Sequence, residues 1–250
     1  MPDSAELVHY AVADGVATLT LDSPHNRNAL SRQLVSELFE RLERAAGDDE
    51  AKVVLLTSSG RVFCSGADLS EAASGAAEDG PRAIVGLQRA IVAHPKPVVV
   101  ALAGPVRAGG IGVVAAADIV VAAEEADFAL TEVKLGLTPA AISLTVLPRL
   151  SSRAAAYACL TGEKFGAAAA AGYGLVTTVA AADALDDEVA RVCASLVSGA
   201  PQGLRETKAL LARPLLANID AGADDMATLS ARLFASDEAR EAMLAFLSRK

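Results

Sequence analysis

With 250 residues, 52% hydrophobic and 21% charged, the chain can bury a substantial core, and its balance fits a compact soluble protein with apolar surface for self-association. A formal net charge of -9 argues against non-specific binding to nucleic acid or to an anionic membrane, so an anionic ligand would need local basic residues. The start, MPDSAELVHYAVADG, has no basic or apolar signal segment, and no apolar run reaches the roughly 20 residues that span a bilayer, so a cytoplasmic location is expected.

Cys64, Cys159 and Cys193 are odd in number and far apart, and His9, His25 and His94 lack ligand spacing. Neither a disulfide framework nor a metal site is expected.

In chain order, residues 8–11 and 16–21 alternate apolar and polar around Asp14-Gly15, the signature of a hairpin. A polar loop, SPHNRN, carries the basic Arg27, and Ser31 can cap a helix with Leu34, Leu38, Leu42 and Ala45 on one face. A strand at 52–57 runs into SSGRVFCSGADLSE, where Ala67 stands at a strand-to-loop junction. Residues 75–81 read as a small, acidic loop and 83–93 as a helix with Ile84, Leu87, Ala90 and Ile91 inward, ended by Pro95 and Pro97.

The stretch 98–123, VVVALAGPVRAGGIGVVAAADIVVAA, organises the rest: strand, glycine turn, buried helix, then a strand from Asp118. Gly109 and Gly110 let the backbone approach a ligand, and the free N–H groups of the following helix suit a developing negative charge. Gly109, Gly110 and Gly112 do not form G-x-G-x-x-G and no Walker lysine follows, which disfavours both nucleotide-phosphate motifs. Together, the Ala67 and Gly109 junctions offer two backbone N–H groups from separate loops, an arrangement that stabilises an oxyanion at about 3 kcal/mol per donor.

Residues 128–130 are extended and Thr131-Glu132 begins a turn. Helical patterns cover 142–150, 153–160 and 162–174, with a last extended piece at 176–179. The strand-strand-helix pattern recurs at a loose spacing of roughly 40 to 50 residues, which predicts stacked turns instead of one doubly wound sheet. Beyond Leu185 only helices are predicted, broken at Pro201 and Pro214, with a terminal run at 237–250 presenting Ala239, Met243, Phe246 and Leu247. Helices without a strand partner need another surface, and a subunit interface is the natural one.

Five segments in order, SPHNRNALS, VVLLTSSGRVFCSGADLSE, ALAGPVRAGGIGVVAAADIVVA, FALTEVKLGLTPAAISLTVLPRL and TGEKFGAAAAAGYGLVTTV, resemble the enoyl-CoA hydratase/isomerase (crotonase) family over essentially the whole chain. The resemblance implies an α/β crotonase-like (ClpP/crotonase) fold, with a superhelix of repeated ββα turns over 1–190 and a C-terminal helical trimerisation region over 191–250. Trimers, often paired as hexamers, are implied.

By the same resemblance Ala67 and Gly109 supply the oxyanion-hole N–H groups for a CoA thioester, the backbone of Ala67, Asp68, Leu69 and Ser70 lies along the adenine and pantetheine, and Arg27 and Ala29 line the way in for CoA. Ser70 stands where many relatives carry lysine. Of the two glutamates that the best-known hydratases use, Glu132 matches the second, but Gly112 occupies the position of the first. The segment LTEVKLGLTPAAIS is similar to bacterial branched-chain hydratases of the methylglutaconyl-CoA type.

Hydration of a 2-enoyl thioester requires a base for the water and an acid for the α-carbon, and one carboxylate can serve as both in turn. A hydratase-like enzyme with the single catalytic residue Glu132 is therefore expected. The alternatives are a double-bond isomerase and an acyl-CoA-binding relative without chemistry. No metal, flavin or nicotinamide is implied, because only protons and water move, and CoA arrives with the substrate.

Overall fold

The computed structural model describes residues 5–73 and 80–248. The predicted acidic loop therefore lies largely outside the described residues.

β1 (Val8–Ala13) and β2 (Val16–Leu21) pair antiparallel. Asp14 and Gly15 join them at φ 51° and 80°, the two positive values a type I′ hairpin needs. The chain then winds in turns. Capped by Ser31, whose side chain accepts from the Leu34 N–H, α1 (Arg32–Gly47) buries Leu34, Leu38, Leu42 and Ala45 and leads to β3 (Val53–Ser58). From there α2 (Leu69–Ala73) and α3 (Gly80–Ala93) lead to β4 (Val98–Leu102), and β5 (Val106–Arg107) and α4 (Gly109–Ala116) lead to β6 (Ile119–Ala123). β7 (Asp127–Ala129), a 3-10 turn (Glu132–Leu135), α5 (Ala140–Arg149), α6 (Ser152–Thr161), β8 (Phe165–Gly166) and α7 (Ala167–Tyr173) lead to β9 (Thr178–Ala180).

One sheet has the order β1-β2-β3-β4-β6-β9, parallel after its first pair, and a smaller one has the order β5-β7-β8. This is the predicted stack of turns. Both faces of the large sheet are covered, so β4 is buried along its whole length. Alternation divides it: Val98, Val100 and Leu102 join the main core with α1, α3 and α4, whereas Val99 and Ala101 face Leu185, Val189, Val192 and Cys193 of α8 (Leu185–Val197).

The helices after β9 cover their own chain, where the sequence alone had left them without a partner. α9 (Pro201–Phe234) packs on α3 and α5, and α10 (Asp237–Leu247) packs on the 3-10 turn, with Ala239 and Met243 against Leu137. α9 is pinned where Lys208 Nζ meets Asp118 Oδ2 at 2.6 Å and the Ile91 carbonyl at 3.1 Å.

Three expectations are corrected. Pro214 does not break α9: it is exposed, as is Leu210, whose carbonyl the proline leaves without a helix donor, while Ala212, Leu215 and Ile219 hold the helix from the buried side. The segment predicted helical at 162–174 is β8 followed by α7, and Phe246 is exposed. Among the described residues no helix is long and apolar enough to cross a membrane.

Candidate active site

The small sheet sets the site. A parallel bridge joins Cys64 to Val106, and Val106 pairs in parallel with Phe128, so three adjacent chain segments leave the same end of one sheet. Three residues beyond Cys64 stands Ala67, three beyond Val106 stands Gly109, and four beyond Phe128 stands Glu132. Neighbouring strands lie about 4.8 Å apart, so these residues emerge side by side. The Arg107 N–H donates to the Cys64 carbonyl at 2.9 Å and the Ala108 N–H to the Ala129 carbonyl at 3.0 Å, which fixes the registers next to each residue of interest.

The Ala67 and Gly109 junctions touch. A Cβ on Gly109 would lie 3.6 Å from the Ala67 nitrogen, and one on Gly66 would lie 3.0 Å from Ala108 Cβ. Gly66, at φ 96°, is the residue that lets the two loops close to this distance. Gly109 opens α4, so its N–H has no acceptor one turn back in the helix. Ala108, just before it, is held at φ 44° and ψ -117°, a conformation that costs an alanine on the order of 1–3 kcal/mol and marks a position fixed by its surroundings.

The Ala67 side is sewn to the 23–31 loop. Buried Asn28 accepts from the Ser23 N–H at 2.6 Å and donates to the Val62 carbonyl at 2.9 Å. Asn26 donates to Asp68 Oδ2 at 3.1 Å, the Ser65 hydroxyl donates to the Asn26 carbonyl at 3.0 Å, and the Leu30 N–H donates to the Gly66 carbonyl at 2.8 Å. Arg27 and Asn28 reach this arrangement through left-handed backbone, φ 60° and 54°.

Glu132 is the carboxyl at this end that burial raises toward neutrality. Its Oε2 is buried with no hydrogen-bond partner among the described residues, and burial pushes the carboxyl up to about 7, opposed by a hydrogen bond from its own backbone. Cys159 on α6 lies within electrostatic reach: burial first, then the Glu132 charge, raises its thiol. An acid poised near neutrality beside two backbone donors can take a proton from, and return it to, a group polarised by those donors.

No carboxylate faces Glu132 from α4. A Cβ at Gly112 would meet Ile142 Cγ2 at 2.4 Å, Ile142 Cβ at 2.8 Å and Gln88 Oε1 at 3.0 Å. Ile142 therefore fills the space a side chain at 112 would need. Gln88, buried beneath, donates to the Ile84 and Ala141 carbonyls and accepts from Thr145 Oγ1, so its polar atoms are satisfied.

Of the remaining residues singled out in the sequence, Arg27 is exposed, and its guanidinium makes no hydrogen bond or ion pair among the described residues, leaving it open to an anion. Ala29 is buried, and its N–H donates to Asn26 Oδ1 at 3.3 Å. Asp68 caps α2: Oδ1 accepts from the Ser70 N–H at 2.9 Å and the Glu71 N–H at 3.4 Å. Burial would raise its carboxyl, but hydrogen bonds from Ser70, Asn26 and the backbone outweigh this and hold it low. The exposed Ser70 hydroxyl also bonds Asp68, and Leu69 packs toward Leu137 and Met243. Sequence reasoning passed over Asn26, Asn28, Gln88 and Ile142. The run N-R-N between a proline and a helix cap was the available signal for the first two, whereas Gln88 and Ile142 matter only through contacts between helices.

A hollow of about 530 Å³ opens beside Ala67 and Leu30, between α1, α3 and the end of α9. A wider, polar depression of about 970 Å³ runs along α1 past Glu37 and Arg41 and includes neither Ala67 nor Gly109 in its lining.

The enoyl-CoA hydratase/isomerase family profile matches residues 11–250. A crystal structure of an enoyl-CoA hydratase from Mycobacterium avium superposes with a TM-score of 0.92 at 48% identity, covering 99% of this chain and 98% of that one. An enoyl-CoA hydratase/isomerase from Pseudoalteromonas atlantica gives 0.89 at 29% identity, with 98% of each covered. A Rhodobacter capsulatus protein named "probable enoyl-CoA hydratase" is 39% identical over 180 residues, 69% of this chain and 68% of its own. With the stacked turns and the converging Ala67, Gly109 and Glu132 segments, these matches place the chain in the enoyl-CoA hydratase/isomerase family, with the crotonase fold and acyl-CoA thioesters as the substrates of its kind.

Proposed function

We propose that the chain is an enoyl-CoA hydratase that works with one carboxylate, Glu132. The observation that carries this reading is the buried, unpartnered Glu132 Oε2 on the segment next to Gly109, with its carboxyl pushed up to about 7. The thioester oxygen accepts from the Ala67 and Gly109 N–H groups, Arg27 meets CoA phosphate, and the backbone from Ala67 to Ser70 runs beside the rest of CoA.

As the oxygen of a water adds to C3 of the 2-enoyl thioester, Glu132 carboxylate takes its proton, and the C2–C3 π pair moves toward the carbonyl to form an enolate held by the two N–H groups. Glu132 then returns that proton to C2 as the enolate collapses. One water is added and the carboxylate is restored. The reaction needs no metal or redox cofactor, since CoA is part of the substrate.

A second reading is favoured by the filled space at Gly112. With no second carboxylate to hold the water, Glu132 would instead remove a proton from C2 of a 3-enoyl thioester and return it at C4, moving the double bond without water. A protein that binds acyl-CoA without transforming it is the third possibility. Incubation with 2-enoyl-, 3-enoyl- and methyl-branched acyl-CoAs in deuterated water, followed by mass spectrometry, separates the three. Gain of one heavy water is expected; an isomerised product without added water moves the assignment to the isomerase, and binding without conversion rejects both.

A further inference from the structure

We infer that Ile142 is a specificity-determining residue: its side chain fills the α4 side of the site, keeps a second acid–base group and its water out, and so limits hydration relative to double-bond migration. This rests on the thioester reading above and adds the residue that decides between its two proton-transfer reactions. Three observations lead to it.

The first is position. Gly112 follows Gly109 by three residues on α4, so the two share a face and lie about 4.5 Å apart along the axis. Side chains on a helix lean toward its N-terminus, so one at 112 would cover the turn that carries the Gly109 N–H. A Cβ on Gly109 would meet Leu30 and the Ala67 nitrogen, whereas one on Gly112 would meet Ile142 at 2.4 and 2.8 Å. C2 and C3 of an acyl group are the next carbons beyond a carbonyl held at Ala67 and Gly109. Where they pass this turn of α4, they meet hydrocarbon.

The second is what holds Ile142 in place. It stands in the first turn of α5 and is buried. Thr145 Oγ1, one turn on, lies 3.2 Å from the carbonyls of both Ile142 and Gly112 and donates to Gln88 Oε1. Gln88 in turn donates to the Ala141 carbonyl at 2.9 Å and, on its own helix, to the Ile84 carbonyl at 3.0 Å. These bonds join α3, α4 and α5 at the level of Gly112, so Ile142 cannot withdraw without breaking them. The third is what lies behind the hydrocarbon. Gln88 Oε1 is 3.0 Å from the same Cβ position at 112, and an amide oxygen has two lone pairs. A water in the space of the Ile142 side chain would find an acceptor there, so one side chain makes this wall apolar.

The test compares initial rates of hydration of a 2-enoyl-CoA and of double-bond migration in a 3-enoyl-CoA, read by mass spectrometry in deuterated water, for the full chain and for variants shown to be folded by circular dichroism. Gly112→Glu combined with Ile142→Gly supplies a carboxylate and vacates its space; glycine is needed because Ile142 Cβ itself lies 2.8 Å from the new Cβ. This double variant should hydrate at least about tenfold faster than the wild type, with no rise in migration. Ile142→Ala, which adds no charge, should raise hydration several-fold and keeps the test decisive if the double variant does not fold. Hydration no faster than the wild type in a folded variant, or a matching rise in migration, overturns the assignment and leaves the hydratase reading standing wherever the wild type itself hydrates. A wild type without turnover whose double variant hydrates upholds Ile142 as the block and rejects that reading. No conversion by any of the proteins overturns both.

Discussion

At the scale of single residues, the candidate acid is a carboxyl whose Oε2 is buried with no hydrogen-bond partner among the described residues. Glu132 has a folded value near 7 against about 4.5 unfolded, so the native state holds its proton more tightly than the unfolded chain does. Stability is therefore expected to fall as pH rises from about 4.5 to 7, by up to roughly 3 kcal/mol, and to change no further from this group above that window. Glu132→Gln should remove that slope, melt higher than the wild type at pH 8, and lose turnover; equal melting curves at both ends of the window would reject the buried-acid description. The base form acts first on water, so kcat/KM should rise through about pH 7. Gly112 tests the opposite wall. Gly112→Ala should cost about 1–3 kcal/mol in urea unfolding, because the branched carbon of Ile142 cannot step aside, and adding Ile142→Ala should cost less than the two changes summed. That the Ala67 and Gly109 junctions and Glu132 stand out, and that no side chain stands at 112, was legible in the sequence, since motif order places them. That Ile142 fills the gap was not, because nothing local in AAIS announces contact with a helix some thirty residues earlier.

Among the elements, legibility followed period and caps. The Asp14-Gly15 hairpin, the Ser31 cap and the buried stripe of α1 were readable because each is a local pattern of fixed spacing. β5 and β8 are two residues long and show no alternation, although they make up most of the sheet that aligns the three site segments. α9 was misjudged at Pro214 because local propensity lost to packing along the helix. Its seat can be measured: Lys208 is buried, and Asp118 Oδ2 also accepts from the Val98 N–H at 2.7 Å, so one carboxylate ties α9 to the start of β4. Burial lowers the lysine, and the Asp118 charge opposes that. Lys208→Ala should cost about 3 kcal/mol by denaturant unfolding, the loss expected when a buried pair is broken from one side. A cost below 1 kcal/mol would mean that packing on α3 and α5 alone seats the helix.

For the whole molecule, the open question is what meets the apolar side chains that the fold leaves outside. Because α8, α9 and α10 each cover their own chain, the C-terminal helices do not demand a second subunit for burial, as their sequence alone had implied. Yet Leu160 is 74% and Leu211 73% exposed, and Leu210, Leu244, Tyr157 and Leu147 are each about half exposed or more. Single exposed leucines are ordinary, but the adjacent pair Leu210-Leu211 on a helix whose opposite face is already buried fits a surface that is covered in an assembly. We therefore expect a trimer, or a pair of trimers, so that native mass spectrometry gives three or six times 25.4 kDa. Leu211→Glu and Leu160→Glu, exposed in the single chain, should leave its fold intact, and at least one should shift the assembly toward monomer because a charge cannot be buried at an apolar contact without several kcal/mol of penalty. A wild-type monomer at micromolar concentration would mean that these leucines face water and that the site, with α10 over the Glu132 turn, is completed within one chain.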